Sequence, residues 1–388
     1  MTGPTPPTLP VGFVAGPDPA PRLDQLATPA LLVDRVRLER NIATTAAAIA
    51  GAGVALRPHV KTSKCWEVAR RQLEAGAVGF TCSTPAEVSW LLGHGVEDLF
   101  WAHLPVGPAK VAFAVEAAAT GRVLLEVDSL EVALPLAEAA AAAGVVAPYL
   151  LEIDTGQGRT GIDPDDALAL LDALADRPSL RCRGITTHEG QLTGYAGVEE
   201  RGRVGRGVGA GMVALAERLR AAGHPVEIVS VGSTPGAASV PFSPGVTEAR
   251  PGTYVYSDLT QIRLGSGRLE DAALTVLGRV VNRSRDGRAI LDAGTKAMSM
   301  DAFGALGGLG LVCDLHLQPL PDVVFEQGNE EHGFLTGRGV AALHVGDLVR
   351  IVPNHACGTE NMWSRVHVVD EGTEHPGVSE VWAVEARH

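Results

Sequence analysis

The stretch Gly53-Val54-Ala55-Leu56-Arg57-Pro58-His59-Val60-Lys61-Thr62-Ser63-Lys64 joins a short apolar run to a lysine. The run reads as a buried strand, so the amine of Lys61 emerges at a strand's carboxyl end rather than on a solvated helix. A lysine so placed can form a Schiff base; its alternative is a solvated surface side chain. Working outward from about Leu31 to Leu264, similar apolar runs recur at Ala30-Leu31-Leu32-Val33, Gly79-Phe80-Thr81-Cys82, Leu99-Phe100-Trp101-Ala102, Tyr149-Leu150-Leu151-Glu152-Ile153 and Val226-Glu227-Ile228-Val229-Ser230-Val231. They alternate with Ala- and Leu-rich segments at helical spacing, among them Pro85 to His94, Ser129 to Ala143, Pro164 to Ala175 and Gly209 to Ala222, each followed by Gly or a turn residue. About eight such units predict a parallel (β/α)8 TIM-like barrel over residues 28–265, in preference to a doubly wound sheet.

From about Arg268 the pattern changes. Leu274 to Val281, Arg288 to Asp292, Leu348 to Val352 and Glu380 to Val384 have turn-rich separators and no helices between them. Residues 266–388 therefore read as a C-terminal antiparallel β domain. The proline-rich residues 1–27 either pack on that domain or lie loose on it.

Composition narrows the partners. With 46% hydrophobic residues in 388, the chain can bury a large core. A formal charge of -13 without a dense basic run argues against nucleic acid. No stretch approaches the roughly 18 apolar residues of a membrane span, and the N-terminus lacks a basic start followed by an apolar core, so no membrane partner and a cytoplasmic location are expected. Five cysteines at irregular spacing do not form a disulfide framework and fit a reduced compartment.

In a barrel, functional groups gather on the loops after strand carboxyl ends. Ile153-Asp154-Thr155-Gly156-Gln157-Gly158-Arg159-Thr160-Gly161 can turn sharply at its glycines and bring Arg159 inward to balance anionic oxygens, or leave it solvated. Gly184-Ile185-Thr186-Thr187-His188 puts His188 where it faces a bound ring or acts as acid or base, a core histidine being the alternative. Val231-Gly232-Ser233-Thr234-Pro235-Gly236 offers free N–H groups and two hydroxyls for a phosphate, with Gly252 and Thr253 as partners on the next loop. Small Gly/Ser/Thr loops are otherwise mere turns. In Pro353-Asn354-His355-Ala356-Cys357, His355 and Cys357 point the same way, and imidazole and thiolate suit zinc. Two protein ligands need help from substrate, water or another side chain. Glu331 and His332 are candidates for that support, a solvated turn being the alternative.

These motifs, together with Arg57 to Thr62, Arg250-Pro251-Gly252-Thr253-Tyr254, Asp292-Ala293-Gly294-Thr295-Lys296-Ala297 and Glu330-Glu331-His332-Gly333, occur in an order that resembles the D-serine dehydratase and D-threonine aldolase family. That family belongs to the alanine-racemase-like, fold type III pyridoxal-phosphate enzymes. The resemblance implies pyridoxal 5'-phosphate on Lys61, a phosphate region at Ser233, Thr234, Gly252 and Thr253, His59 and Tyr254 beside the cofactor, Arg159 close to its ring and His188 as a catalytic group. It also implies a divalent metal on His355 and Cys357, zinc first, with Mn2+ or Mg2+ as alternatives, and a homodimer. The expected activity is that of a metal-dependent lyase on a small-molecule 3-hydroxy-D-amino acid, D-serine dehydratase-like, giving an oxo acid and ammonia. The alternative is D-threonine aldolase-like cleavage to glycine and an aldehyde. Aldolases of the family carry a His-x-Asp pair and a second histidine soon after the position of His188, where Gln191, Leu192, Thr193, Gly194 and Tyr195 stand here. A non-catalytic pyridoxal-phosphate carrier is disfavoured by the β domain and the His-x-Cys pair. A racemase is disfavoured because all four tyrosines precede the β domain, where its tyrosine base belongs.

Overall fold

The computed structural model describes residues 22–284, 286–301, 308–370 and 377–387. Most of the expectation for residues 1–27 lies outside the described residues; Leu23 and Leu26 pack with Leu32, Leu277, Val369 and Val378. Strand β1 (Ala30–Asp34) leads into a helix at Arg35–Gly51, whose first turn is capped by the Asp34 carboxylate accepting from the Arg37 N–H. There follow β2 (Ala55–Leu56), β3 (Phe80–Cys82), β4 (Leu99–Trp101), β5 (Val123–Val127), β6 (Ala147–Glu152), β7 (Leu180–Thr187), β8 (Ile228–Val231) and β9 (Glu248–Ala249). These eight form a parallel sheet in the order β2-β9-β8-β7-β6-β5-β4-β3. Its two edges meet where the Val78 N–H donates to the Leu56 carbonyl at 2.9 Å and the Thr81 N–H to the Pro58 carbonyl at 2.8 Å, giving the expected TIM-like barrel.

The strands are short, and most of their residues are buried, which is why they read as continuous apolar runs. Helices return between them on local signals. Thr84 caps Pro85–Gly93 by accepting from the Glu87 N–H, and Gly144, left-handed at φ 66°, ends Leu130–Ala143. The helix expected from Gly209 begins eleven residues earlier, as Val198–Ala221. Its glycines lower intrinsic propensity, but two of them admit close packing: a Cβ on Gly205 would lie 2.2 Å from the Ser239 hydroxyl, and one on Gly209 2.3 Å from that of Ser243. Tertiary contact thus overrides propensity there.

The second sheet contains β10 (Leu274–Arg283), β11 (Ala289–Leu291), β12 (Gly310–Cys313), β13 (Val324–Gly328), β14 (Gly333–Thr336), β15 (Leu348–Pro353), β16 (Arg365–Val369) and β17 (Val378–Ala383). It also contains β1, which the sequence counts among the barrel units. β1 pairs antiparallel with β10 and parallel with β16, so the sheet is antiparallel except at that one seam. An apolar strand followed by a helix reads alike in either sheet; the eighth barrel strand is instead the two-residue β9. Among the described residues, no helix is long and apolar enough to cross a membrane.

The two sheets meet at the barrel's carboxyl-end face. After β15 the chain turns into a short helix, Ala356–Glu360, which packs against the 3-10 turn Val60–Thr62. The Thr260 hydroxyl donates to the Asn354 carbonyl at 2.7 Å across the junction.

Candidate active site

A cavity of about 1280 Å³ opens at this junction. Lys61, His59, Arg159, His188, Ser233, Thr234, Gly252, Thr253, His355 and Cys357 all line it, although they come from loops spread over some three hundred residues. Tyr254 does not line it. Its ring packs in the second core, and its hydroxyl accepts from Gln72 Nε2 at 2.8 Å. Glu331 and His332 are exposed and also outside the cavity lining, Glu331 pairing with Lys296 at 2.8 Å.

Lys61 sits in the turn after β2, where His59 caps that turn. The chain has four lysines, at 61, 64, 110 and 296. Lys64 is tied to Glu87 at 3.3 Å and to Asn361 at 3.0 Å, and Lys61 is the lysine among the cavity-lining residues. Burial lowers the affinity of the Lys61 amine for a proton; the Cys357 thiolate opposes this, and Arg159 and Arg250 reinforce it. An amine so held is a nucleophile.

The two histidines beside it are neutral for the same reason. Burial and the Lys61 charge hold His59 well below its ordinary range, and its Nε2 lies 3.2 Å from the Ser83 hydroxyl. His188 hydrogen-bonds the Gly232 carbonyl through Nδ1, which must therefore carry the proton, leaving Nε2 as an acceptor. Burial, then Lys61, Arg159 and Arg250, push His188 down to about 3.

Beside the lysine turn, the loops after β8 and β9 form a small-residue cradle. A Cβ on Gly232 would lie 2.9 Å from the Arg250 Cβ, and one on Gly252 2.9 Å from the Thr62 hydroxyl. The Thr234 Oγ1 is buried without a hydrogen-bond partner. An orphaned hydroxyl in a glycine-lined loop fits a phosphate. Beneath the cradle a buried polar network links strands: Arg57 to Glu248 at 2.7 Å, the Ser230 hydroxyl to Glu248 at 2.6 Å, and Arg250 to the Thr187 carbonyl at 2.9 Å.

On the β-domain side of the lysine turn, His355 Nδ1 lies 3.0 Å from Asp258 Oδ2, which also accepts the Ala356 N–H at 2.9 Å. This fixes the orientation of the imidazole. The Cys357 sulfur lies 3.2 Å from the Thr62 hydroxyl. Against burial, hydrogen bonding to His355 lowers the thiol's affinity for its proton, while Asp258 and Cys357 push His355 up to about 11. Among the described residues, no group of three or more His, Cys, Asp or Glu is gathered to hold a metal ion. The pair thus suits a cation whose other ligands are water or substrate.

Glu126, Glu152 and His103 also line the cavity and carry no motif signal; Arg250 lines it too, and the sequence offers it only as the first residue of its motif with no role attached. Glu126 and Glu152 sit within apolar strands, and Asp258, which orients His355, precedes it by 97 positions.

Residues 33–260 match the alanine racemase N-terminal domain, more than half of the chain. The chain belongs to that family. Residues 273–369 match a putative serine dehydratase domain. The chain is 39% identical to a D-threo-3-hydroxyaspartate dehydratase of Delftia sp. (strain HT23) over 86% of this chain and 92% of that one. It is 32% identical to a D-threonine aldolase of Arthrobacter sp. over 96% and 97%. A solved structure of a Cys-to-Ala mutant of D-threo-3-hydroxyaspartate dehydratase, in the metal-free form, superposes with a TM-score of 0.87 at 36% identity, covering 93% of this chain and 98% of that one. These alanine-racemase-like relatives are lyases, and the family expected from the motifs is the one found.

Proposed function

We propose that this chain is a pyridoxal-phosphate-dependent lyase that dehydrates a 3-hydroxy-D-amino acid to a 2-oxo acid and ammonia. The observation that carries the reading is the common cavity: one half-buried lysine, a glycine-lined cradle and a His-x-Cys pair all line it. Lys61 would carry the cofactor, with Ser233, Thr234, Gly252 and Thr253 holding its phosphate and His59, His188 and Arg159 around its ring. The bound cofactor supplies an electron sink for charge left at the substrate's Cα. His355 and Cys357 would hold a divalent cation, zinc by donor chemistry, which supplies a Lewis acid for the 3-hydroxyl. The relative described in a metal-free form supports this.

The protein's own groups account for the proton traffic. Burial and the neighbouring guanidinium groups favour the neutral amine of Lys61, so once released it can take the α-proton. His188 stays uncharged, with its Nδ1 proton committed to Gly232, and offers Nε2 as an acceptor rather than an acid. Thr62 holds the Cys357 sulfur, and Asp258 holds His355, so the metal side of the cavity is fixed before substrate arrives. Retro-aldol cleavage needs a base at the 3-hydroxyl. Gln191 stands near where the aldolases' second histidine is expected, and its Nε2 donates to the Thr155 carbonyl at 2.8 Å, holding the loop rather than serving as a base. The five cysteines are free, in keeping with the proposed cytoplasmic location, and a homodimer is proposed on family grounds.

Metal-replete and chelator-treated protein should be incubated with D-serine, D-threonine and D-threo-3-hydroxyaspartate while oxo acid, ammonia and glycine are followed. Metal-dependent oxo acid with stoichiometric ammonia is expected. Glycine and an aldehyde would replace dehydration with aldol cleavage.

A further inference from the structure

Ser83 lines the cavity on the loop after β3, next to the Lys61 turn, and the reaction as derived leaves it without a task. Its backbone is held from both ends by fully buried side chains. The Ser83 N–H donates to Glu87 Oε2 at 2.6 Å, and the Ser83 carbonyl accepts from Trp101 Nε1 at 3.1 Å. Glu87 also pairs with Lys64 at 3.3 Å, just past the lysine turn, so Ser83 and that turn are tied together.

The hydrogen bonds around the hydroxyl settle which way it donates. The Lys61 N–H donates to His59 Nδ1, which is therefore unprotonated, and the neutral imidazole carries its proton on Nε2. That Nε2 lies 3.2 Å from Ser83 Oγ. The oxygen accepts from His59, and its own hydrogen is left to donate. Among the described residues, this hydroxyl makes no other hydrogen bond, and Ser83 is half-buried at the cavity wall. A hydroxyl donor fixed on a rigid backbone inside a cavity suits a ligand oxygen that carries negative charge.

Barrel order names that oxygen. The loops after β8, β9, β2 and β3 are successive around the mouth, because the barrel closes through the Val78–Leu56 and Thr81–Pro58 hydrogen bonds. They carry the small-residue cradle, then Lys61, then Ser83. Pyridoxal phosphate presents a matching order on adjacent ring carbons: the phosphate arm, the aldehyde carbon and a hydroxyl that ionises to an oxyanion. A ring whose phosphate lies in the cradle and whose aldehyde carbon meets Lys61 turns that oxygen toward the loop after β3.

We propose that Ser83 donates its hydroxyl hydrogen to the ring oxygen of the bound cofactor, in a direction set by His59. This rests on the pyridoxal-phosphate reading. Ser83 is a cofactor-binding residue here, and Glu87 and Trp101 are positioning residues that act through it.

The test is a double-mutant cycle between protein and cofactor. Full-length wild type, Ser83→Ala and Ser83→Thr, freed of cofactor, are titrated with pyridoxal phosphate and with its 3-deoxy analogue, which lacks the oxygen. Binding is followed by equilibrium dialysis and by the visible absorbance band, without substrate. Losing a hydrogen bond to a charged oxygen weakens binding by about tenfold or more. Ser83→Ala should therefore lose about that factor for pyridoxal phosphate and displace the visible band, and Ser83→Thr should restore both. For the analogue, wild type and Ser83→Ala should bind alike. Equal losses for the two ligands, or no loss and no displaced band with pyridoxal phosphate, would overturn the proposal while leaving the lyase reading standing. A wild type that takes up no pyridoxal phosphate would remove both. Should Ser83→Ala fail to fold, Ser83→Cys, with a weak donor of similar size, carries the same prediction.

Discussion

Glu189 follows His188 directly, lies fully buried beside Ser233 of the phosphate cradle, and has one carboxylate oxygen without a partner. Burial pushes its carboxyl up to about 7, against the opposing pull of its own backbone amide, Arg250 and the Ser233 hydroxyl. The unfolded chain ionises this group near 4.5, whereas the folded chain keeps it protonated to about 7. Folding therefore favours the protonated form. Its contribution is fully present below about pH 4.5 and is lost as pH rises to about 7. That displacement corresponds to about 3 kcal/mol at 1.36 kcal/mol per pH unit. Glu189→Gln keeps the shape of the protonated acid and cannot ionise. In guanidinium unfolding of the apoprotein followed by tryptophan fluorescence, the stability of the variant minus that of the wild type should rise by about 3 kcal/mol between pH 4 and pH 8. Subtraction removes every other titrating group common to both. A difference that stays flat across that range would refute the argument that burial dominates at Glu189.

Other perturbations follow from the same contacts. Gly209→Ala places its Cβ 2.3 Å from the Ser243 hydroxyl and 2.6 Å from the Val240 carbonyl and should cost about 1–3 kcal/mol by overpacking. Gly207→Ala in the same helix meets nothing within 4 Å and should instead stabilise by about 0.5–1 kcal/mol; thermal melts of the two variants should move in opposite directions. Gly252→Ala puts its Cβ 2.9 Å from the Thr62 hydroxyl and 3.2 Å from the His59 carbonyl, so it pushes on the turn that carries Lys61. Equilibrium dialysis should record at least a tenfold loss of pyridoxal phosphate affinity with the fold intact by circular dichroism. Asp258→Asn loosens the imidazole of His355, and zinc titration with a competing chelator should find affinity reduced by about 10–100-fold.

Which features were legible in the sequence depended on the physics of each position. The barrel could be read because parallel strands buried on both faces spell continuous apolar runs, as at Tyr149 to Ile153. Lys61, His188, Arg159 and the two glycine loops could be read because a barrel gathers function after its strands. β1 could not be assigned to the second sheet, since partner choice lies in residues hundreds of positions away, at Leu274 and Val368. The start of the helix at Val198 was hidden by glycines whose purpose appears only against Ser239 and Ser243. Glu126, Glu152 and Asp258 escaped because a lone carboxylate in a strand or loop reads as solvated, and their burial is a tertiary fact. Tyr254 shares a motif with Gly252 and Thr253, yet its ring turns into the core.

The central claim, that Lys61 carries pyridoxal phosphate in this cavity, is open to a direct test because the chain has four lysines. Holoenzyme would be reduced with borohydride, digested and mapped by mass spectrometry. The account predicts the cofactor label on Lys61 alone, abolished in Lys61→Ala. A label on Lys64, Lys110 or Lys296 with Lys61 unmodified would contradict it.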